Sequence, residues 1–340
     1  MTIHAYAALA ANTALVPFQY PQSELAVDQV EIAVQYSGLC HSDLSMIENE
    51  WQQSLYPLVP GHEVVGKISR VGSAVQHLHV GQMVGLGWQA GHCQGCRPCL
   101  GGKPNLCKNS EATIVGRHGG FASHVTAHWQ WVIPLPEALS AKHAGPLLCG
   151  GLTVFTPLLQ HNIQAIHHIG VIGIGGLGHL AIQIYKAWGC RVTAFTSSLD
   201  KTEELYQLGA DHVVHSQNLK DYDGLTFDLI VDTVNAPLDW QAYANLLAAE
   251  GHFHIVGLVL EPIEVSSSQL IDQQIAITGS PTGSPLALHQ LLDFCSRHAI
   301  EPWIEEFPIS QVNHAIEKMK QGQLRYRAVL NMQELHDAKN

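Results

Sequence analysis

The run His168-Ile-Gly-Val-Ile-Gly-Ile-Gly-Gly-Leu-Gly178 decides the fold of this chain. Its first five residues read as a short buried strand. Gly173, Gly175 and Gly178 then form a G-x-G-x-x-G match, with Gly176 and Leu177 completing the loop. Leu177, Leu180, Ala181, Ile184, Tyr185 and Trp188 recur at helical spacing, and Gly189 is placed to end that helix. A G-x-G-x-x-G match alone is weak, but between a strand and an amphipathic helix it is specific. Gly173 permits the tight turn, Gly175 lets the backbone approach a pyrophosphate, and Gly178 lets helix and strand pack closely. The helix N-terminus then offers free N–H groups to the phosphates. A glycine turn required by packing alone is the bland alternative.

Working outward, Arg191–Phe195 is the next strand, and further strands are expected at Phe227–Val231, His252–Val256 and Gln274–Thr278. Strands alternating with helices imply a doubly wound parallel sheet, an α/β fold of the Rossmann kind. A site for NAD usually places Asp or Glu at the end of the second strand, to hold the ribose 2′-hydroxyl. Thr196-Ser197-Ser198 stands there instead, with Lys201 shortly after. Hydroxyls and an ammonium suit a 2′-phosphate, so NADP is the expected cofactor. Asp200 dissents, although it could simply cap the next helix.

Residues 1 to about 149 have another texture. Short β-like runs such as Val30–Tyr36, Glu63–Ile68 and Gln82–Leu86 are broken by Gly and Pro, as in a loop-rich β domain. The expected division is 1–149, a nucleotide-binding domain over 150–287, and a return to the first domain over 288–340.

In that first domain Cys93, Cys96, Cys99 and Cys107 stand at C-x2-C-x2-C-x7-C spacing, with Gly95, Pro98, Gly101 and Gly102 to bend the chain between them. Four thiolates this close converge on one centre and leave no position for water, which marks a structural zinc; an iron–sulfur cluster is the rival. The other four of the eight cysteines are Cys40, Cys149, Cys190 and Cys295. The opening Met1-Thr-Ile-His-Ala-Tyr lacks the features of a signal peptide, and no run is long enough to span a membrane. A cytoplasmic, reducing location is therefore expected, where clustered cysteines read as metal sites. The formal charge of −12 over 340 residues, with no basic block, argues against nucleic acid or an anionic membrane as partner. The 22 histidines make any single one uninformative.

Several segments resemble the zinc-dependent medium-chain dehydrogenase/reductase (alcohol dehydrogenase) family: Gly38-Leu-Cys-His-Ser-Asp43, Pro60-Gly-His-Glu63, Ala144-Gly-Pro-Leu-Leu-Cys149-Gly-Gly151, the glycine loop and the cysteine lobe. Ser42–Trp51 and Trp129–Pro136 are most similar to its cinnamyl alcohol dehydrogenase branch, and within it to bacterial NADPH-dependent, broad-specificity aldehyde reductases. The resemblance covers essentially the whole chain. It implies a GroES-like catalytic domain beside the Rossmann domain and an active site in the cleft between them; a homodimer is the expected assembly, with a tetramer as the alternative.

It also implies site residues. Cys40, His62 and Cys149 would hold a catalytic zinc acting as Lewis acid on an aldehyde oxygen. Glu63 matches a glutamate that can transiently coordinate the metal, or else supports a ligand. Asp43 matches the carboxylate that orients the histidine, with a helix cap as its plain role. Ser42 matches the hydroxyl that passes a proton. His41 matches a pyrophosphate contact, Thr153 a nicotinamide contact, and Arg327 a late pyrophosphate-binding arginine, with Arg325 as competitor. Plant members often carry a histidine where this chain has Ser45, so the outer end of the proton path departs from theirs. Trp51 and Trp88 could wall an apolar substrate pocket or belong to the core. The expected activity is reversible reduction of aldehydes to primary alcohols with NADPH. A polyol or secondary-alcohol dehydrogenase is the rival, and a non-catalytic nucleotide-binding protein the remote one.

Overall fold

A computed structural model describes residues 2–219, 222 and 226–337. The chain forms two units, Met1–Cys149 with Ser284–Asn340, and Gly150–Gly283.

In the second unit the predicted strand is His168–Ile172, all five residues buried. Six strands pair in parallel in the spatial order His212–His215, Arg191–Thr196, His168–Ile172, Phe227–Asp232, Leu247–Ile255, Ala276–Gly279. Numbered along the chain, that order is 3-2-1-4-5-6, the doubly wound arrangement in which ligands bind beyond the carboxyl ends of the strands. The helix after the glycine loop runs Gly178–Trp188 and buries Leu180, Ala181, Ile184 and Tyr185. Gly189 ends it in the left-handed conformation at φ 104°. The strand expected at His252–Val256 starts earlier, at Leu247, because Leu247 pairs with Phe227 across a register shift. Glu250 takes φ 63° along the way.

In the first unit, seven strands form one sheet. Its spine is Gln29–Leu39, which pairs antiparallel with Val64–Val71, Arg327–Asn331 and His124–His128. The chain returns to this unit at Ser284 rather than at 288. Ser284 caps the helix Pro285–His298 by accepting the Ala287 N–H at 3.2 Å, and a helix docks as a whole. The core of this unit gathers Val30, Ile32, Val34, Leu39, Met46, Val64, Ile68, Leu86, Phe121 and Leu330, all essentially without solvent exposure. That core fixes the ends of the spine strand, where the functional residues begin.

Candidate active site

Cys40 follows the spine strand and caps the helix His41–Glu48 in an extended conformation, φ −114° and ψ 156°. Asp43, three residues on, faces both the helix start and His62. Its Oδ2 accepts the Cys40 N–H at 3.0 Å, which caps the helix. Its Oδ1 accepts the Gly61 N–H at 2.8 Å and lies 2.9 Å from His62 Nδ1. A carboxylate at Nδ1 holds the proton there and turns the Nε2 lone pair inward. Nε2 is buried and without a hydrogen-bond partner. Gly61 makes the turn possible: its φ is 99°, and a Cβ there would stand 2.6 Å from the Phe121 nitrogen.

Cys149, between a 3-10 turn over Gly145–Leu148 and the helix starting at Gly150, supplies the last sulfur. One ligand atom from each of Cys40, His62, Glu63 and Cys149 lies within 4.8 Å of the others, and all four residues are buried. Two thiolates, an imidazole and a carboxylate are a donor set that suits zinc. An orphaned buried imidazole nitrogen is what a ligand lacking its metal leaves behind. Ser42 lies in the helix's first turn, its Oγ 3.9 Å from Cys40 Sγ. His41, beside it, is exposed.

Arg327, expected as a late pyrophosphate contact, pairs inside the first unit. It is 3% exposed, and its Nη2 donates to Glu63 Oε1 at 2.5 Å and to the Leu39 carbonyl at 3.1 Å. Burial pushes the Glu63 carboxyl up to about 7, against the opposing charge of Arg327. The Cys40 thiol is drawn well below the usual thiol range, first by Cys149 and against burial, with the Arg327 charge helping. Glu63 Oε2 has no partner. It fits only because residue 38 is glycine: a Cβ there would stand 1.9 Å from that oxygen. The sequence reading missed this pair and the role of Gly38. An arginine that late in the chain carries no local signal of its partner.

The two tryptophans come together at the site. Their ring centroids are 5.9 Å apart and edge-on, and Trp88 stands 5.0 Å from the His62 ring. Both are half-buried and pack against the core.

Cys93, Cys96, Cys99 and Cys107 form a separate cluster, with sulfur separations of 3.3, 3.4, 3.7 and 3.9 Å. Sulfurs about 2.3 Å from a central zinc stand roughly 3.8 Å apart in a tetrahedron, so the set fits the metal and forms no disulfide. The lobe has little core of its own: Leu100 is 78% and Leu106 49% exposed. A segment that buries so little needs another source of order, which a metal provides.

In the second unit the glycine loop separates packing from binding. Gly173 has φ 83°, and a Cβ at Gly178 would stand 2.1 Å from the Gly173 oxygen, so packing explains both. A Cβ at Gly175 would meet nothing within 4 Å, so packing does not explain that glycine, whereas a closely approaching ligand does. Gly176 and Leu177 carry the backbone into a helix whose N-terminus has no side-chain cap, which leaves N–H groups for an anion. At the second strand's end, Thr196 is buried and its hydroxyl is engaged with the Ser198 backbone at 3.1 and 3.2 Å. Ser197 is exposed, and Ser198 and Lys201 are half-buried. Thr153 is buried, with Oγ1 3.5 Å from the Pro281 carbonyl.

The chain belongs to the zinc-binding alcohol dehydrogenases: the alcohol dehydrogenase GroES-like domain matches residues 26–137 and the zinc-binding dehydrogenase domain residues 176–297. Among its relatives, aldehyde reductase AdhA of Synechocystis sp. is 50% identical over 97% of this chain and 98% of its own. A cinnamyl alcohol dehydrogenase structure from Sorghum bicolor superposes with TM-score 0.92 at 34% identity, covering 97% of this chain and 98% of that one. The Helicobacter pylori cinnamyl alcohol dehydrogenase complexed with NADP(H) gives TM-score 0.90 at 26% identity, over 98% and 99%. No helix among the described residues is long and apolar enough to cross a membrane.

Proposed function

We propose that this chain reduces aliphatic and aromatic aldehydes to primary alcohols with NADPH, reversibly. The unit containing residues 1–149 would carry the catalysis, and the unit 150–283 the cofactor. One observation carries the reading: the buried Cys40/His62/Cys149 set, with an unpartnered His62 nitrogen, in a chain half identical to an aldehyde reductase. Cys40, His62 and Cys149 would hold a catalytic zinc, and Cys93, Cys96, Cys99 and Cys107 a structural one. When bound, the catalytic zinc supplies Lewis-acid polarisation of a carbonyl and NADPH supplies the hydride.

The residues of the chain do the rest. Asp43 keeps the His62 proton on Nδ1 and so keeps the Nε2 lone pair free to bind a metal. Ser42 Oγ, 3.9 Å from Cys40 Sγ, would hold or release the proton that the product alcohol gains. Arg327 balances the Glu63 charge inside the protein. Trp51 and Trp88 offer an apolar wall beside His62, which favours linear and aromatic substrates over hydroxyl-rich ones. Ser197, Ser198 and Lys201 suit a 2′-phosphate, and Thr196 shapes their turn from beneath. A homodimer fits the strand Ala276–Gly279, which pairs on one side only among the described residues, and the exposed Leu258, Leu260 and Ile271 of the same unit. A cytoplasmic site of action fits eight cysteines with no disulfide among them.

A substrate panel with both cofactors tests the reading. NADPH should exceed NADH in kcat/KM by roughly ten- to a hundredfold, the worth of one charge-assisted contact to phosphate. Reduction should improve with chain length among short aldehydes. Equal efficiency with both cofactors removes the NADPH assignment, and faster turnover of sorbitol than of hexanal removes the aldehyde.

A further inference from the structure

Three histidines with no role in the proposed chemistry meet in the unit 150–283. His252 and His254 lie on the same face of the strand Leu247–Ile255, and His161 follows the helix Gly150–Gln160. The His161 and His252 rings stack at 4.1 Å. His161 Nε2 is 2.9 Å from His254 Nδ1, and Thr278 Oγ1 stands 2.9 Å from the latter and 3.1 Å from the former. On its other side, His254 Nε2 is 2.9 Å from Ser280 Oγ. Thr278 is the register partner of His254, so the strand Ala276–Gly279 is tied to its neighbour through side chains as well as backbone.

The network ends where a ligand would begin. Ser280 is the first residue beyond that strand, at the carboxyl edge of the parallel sheet, the side on which such folds bind dinucleotides. The turn that Ser280 opens is held at its other end by the helix Gly150–Gln160. There the Pro281 carbonyl lies 3.5 Å from Thr153 Oγ1, and a Cβ on Gly283 would stand 2.6 Å from both Leu152 and Thr156. The turn is therefore pinned at both ends, and His254 is the pin on the sheet side. Burial, then the neighbouring imidazoles, holds His254 down at about 3, while burial, then His252, holds His161 down at about 4. Both stay neutral over the working range, so the hydrogen-bond pattern does not change with pH. A neutral imidazole has one donor and one acceptor nitrogen, and either tautomer leaves one of them for Ser280.

We propose that His254 is a positioning residue for the nicotinamide half of the cofactor: through Ser280 it fixes the turn 280–283, against which that half is placed together with Thr153. The inference rests on the NADPH reading above. The adenylate half is left to the glycine loop and to Ser197, Ser198 and Lys201, on other strands of the same sheet. His254 thus acts on one end of the dinucleotide and not on the other.

Ser280→Ala removes only the tie, and His254→Phe removes the whole centre of the network. NADPH binding is read by fluorescence titration, and adenosine 2′,5′-bisphosphate, which reproduces the adenylate half alone, by competition. Ser280→Ala should weaken NADPH about three- to tenfold, the worth of one hydrogen bond, and His254→Phe at least as much. The bisphosphate should bind both variants as it binds the parent protein. Equal losses for the two ligands would reduce His254 to a structural role and overturn the inference, as would unchanged NADPH affinity in Ser280→Ala. If His254→Phe does not fold, Ser280→Ala decides alone. A parent protein that binds no NADPH would sink the functional reading itself, which keeps the two failures apart.

Discussion

The two cysteine sites of the first unit use similar ligands for opposite purposes. The lobe's four sulfurs lie between residues 93 and 107, on a segment with exposed leucines and little core. The other set is assembled from residues 40, 62, 63 and 149, and His62 and Glu63 have no solvent exposure. A short, closed set of thiolates can order a segment that has little else to bury. A mixed set under the core does not serve that purpose, because the surrounding strands already hold it. Its burial instead strengthens every charge around it, which is why Asp43, Glu63 and Arg327 matter there.

The largest effect should separate the two sites directly. Cys149→Ala should abolish turnover and halve the zinc content while circular dichroism and the melting transition stay close to the parent. Cys99→Ala should instead cost folding or assembly, since a structural zinc is worth about 10–16 kcal/mol to a segment that depends on it. Elemental analysis with spectroscopy reads both. One metal per parent chain, iron in place of zinc, or a well-folded Cys99 variant would collapse the contrast.

A smaller effect sharpens the contrast within the buried site. Ser42→Ala should lower kcat by about 10²–10⁴-fold if its hydroxyl carries the proton. Zinc content should be unchanged, because Ser42 is not among the ligand atoms. Near-normal turnover takes Ser42 out of the mechanism.

The smallest of the three concerns stability. Arg327→Met leaves Glu63 as an uncompensated buried carboxyl and should destabilise the fold by about 3–5 kcal/mol in urea unfolding. Adding Glu63→Gln should restore much of that loss. No recovery in the double variant would mean that Arg327 acts through the Leu39 carbonyl rather than through the charge pair.

How much of this was legible depended on how locally the signal is written. The strand His168–Ile172, the helix after it and its end at Gly189 follow from spacing alone, since buried faces repeat with the period of the element. The cysteine lobe is just as local. The buried set was not: its four residues span more than a hundred positions, and only likeness to a family drew them together. Thr196 was read as a phosphate contact because its residue type fits, yet its hydroxyl turns inward onto Ser198, a choice made by the turn and not by the residue. His254 was invisible among 22 histidines, because its neighbours at 161, 278 and 280 are brought to it only by strand pairing and by the helix packed over that face.

The sequence by itself determined the architecture of the nucleotide-binding unit and the metal character of the lobe. Both are properties of short stretches in which side-chain periodicity and turn residues act on their near neighbours. Tertiary structure alone decided which carboxylate faces which imidazole, that Arg327 neutralises Glu63 under the core, that Gly38 makes room for it, and that three histidines form one network. Such contacts depend on strands far apart in the chain being brought within a few ångströms of each other. No local pattern encodes that register, because it is set by the burial of the whole core at once.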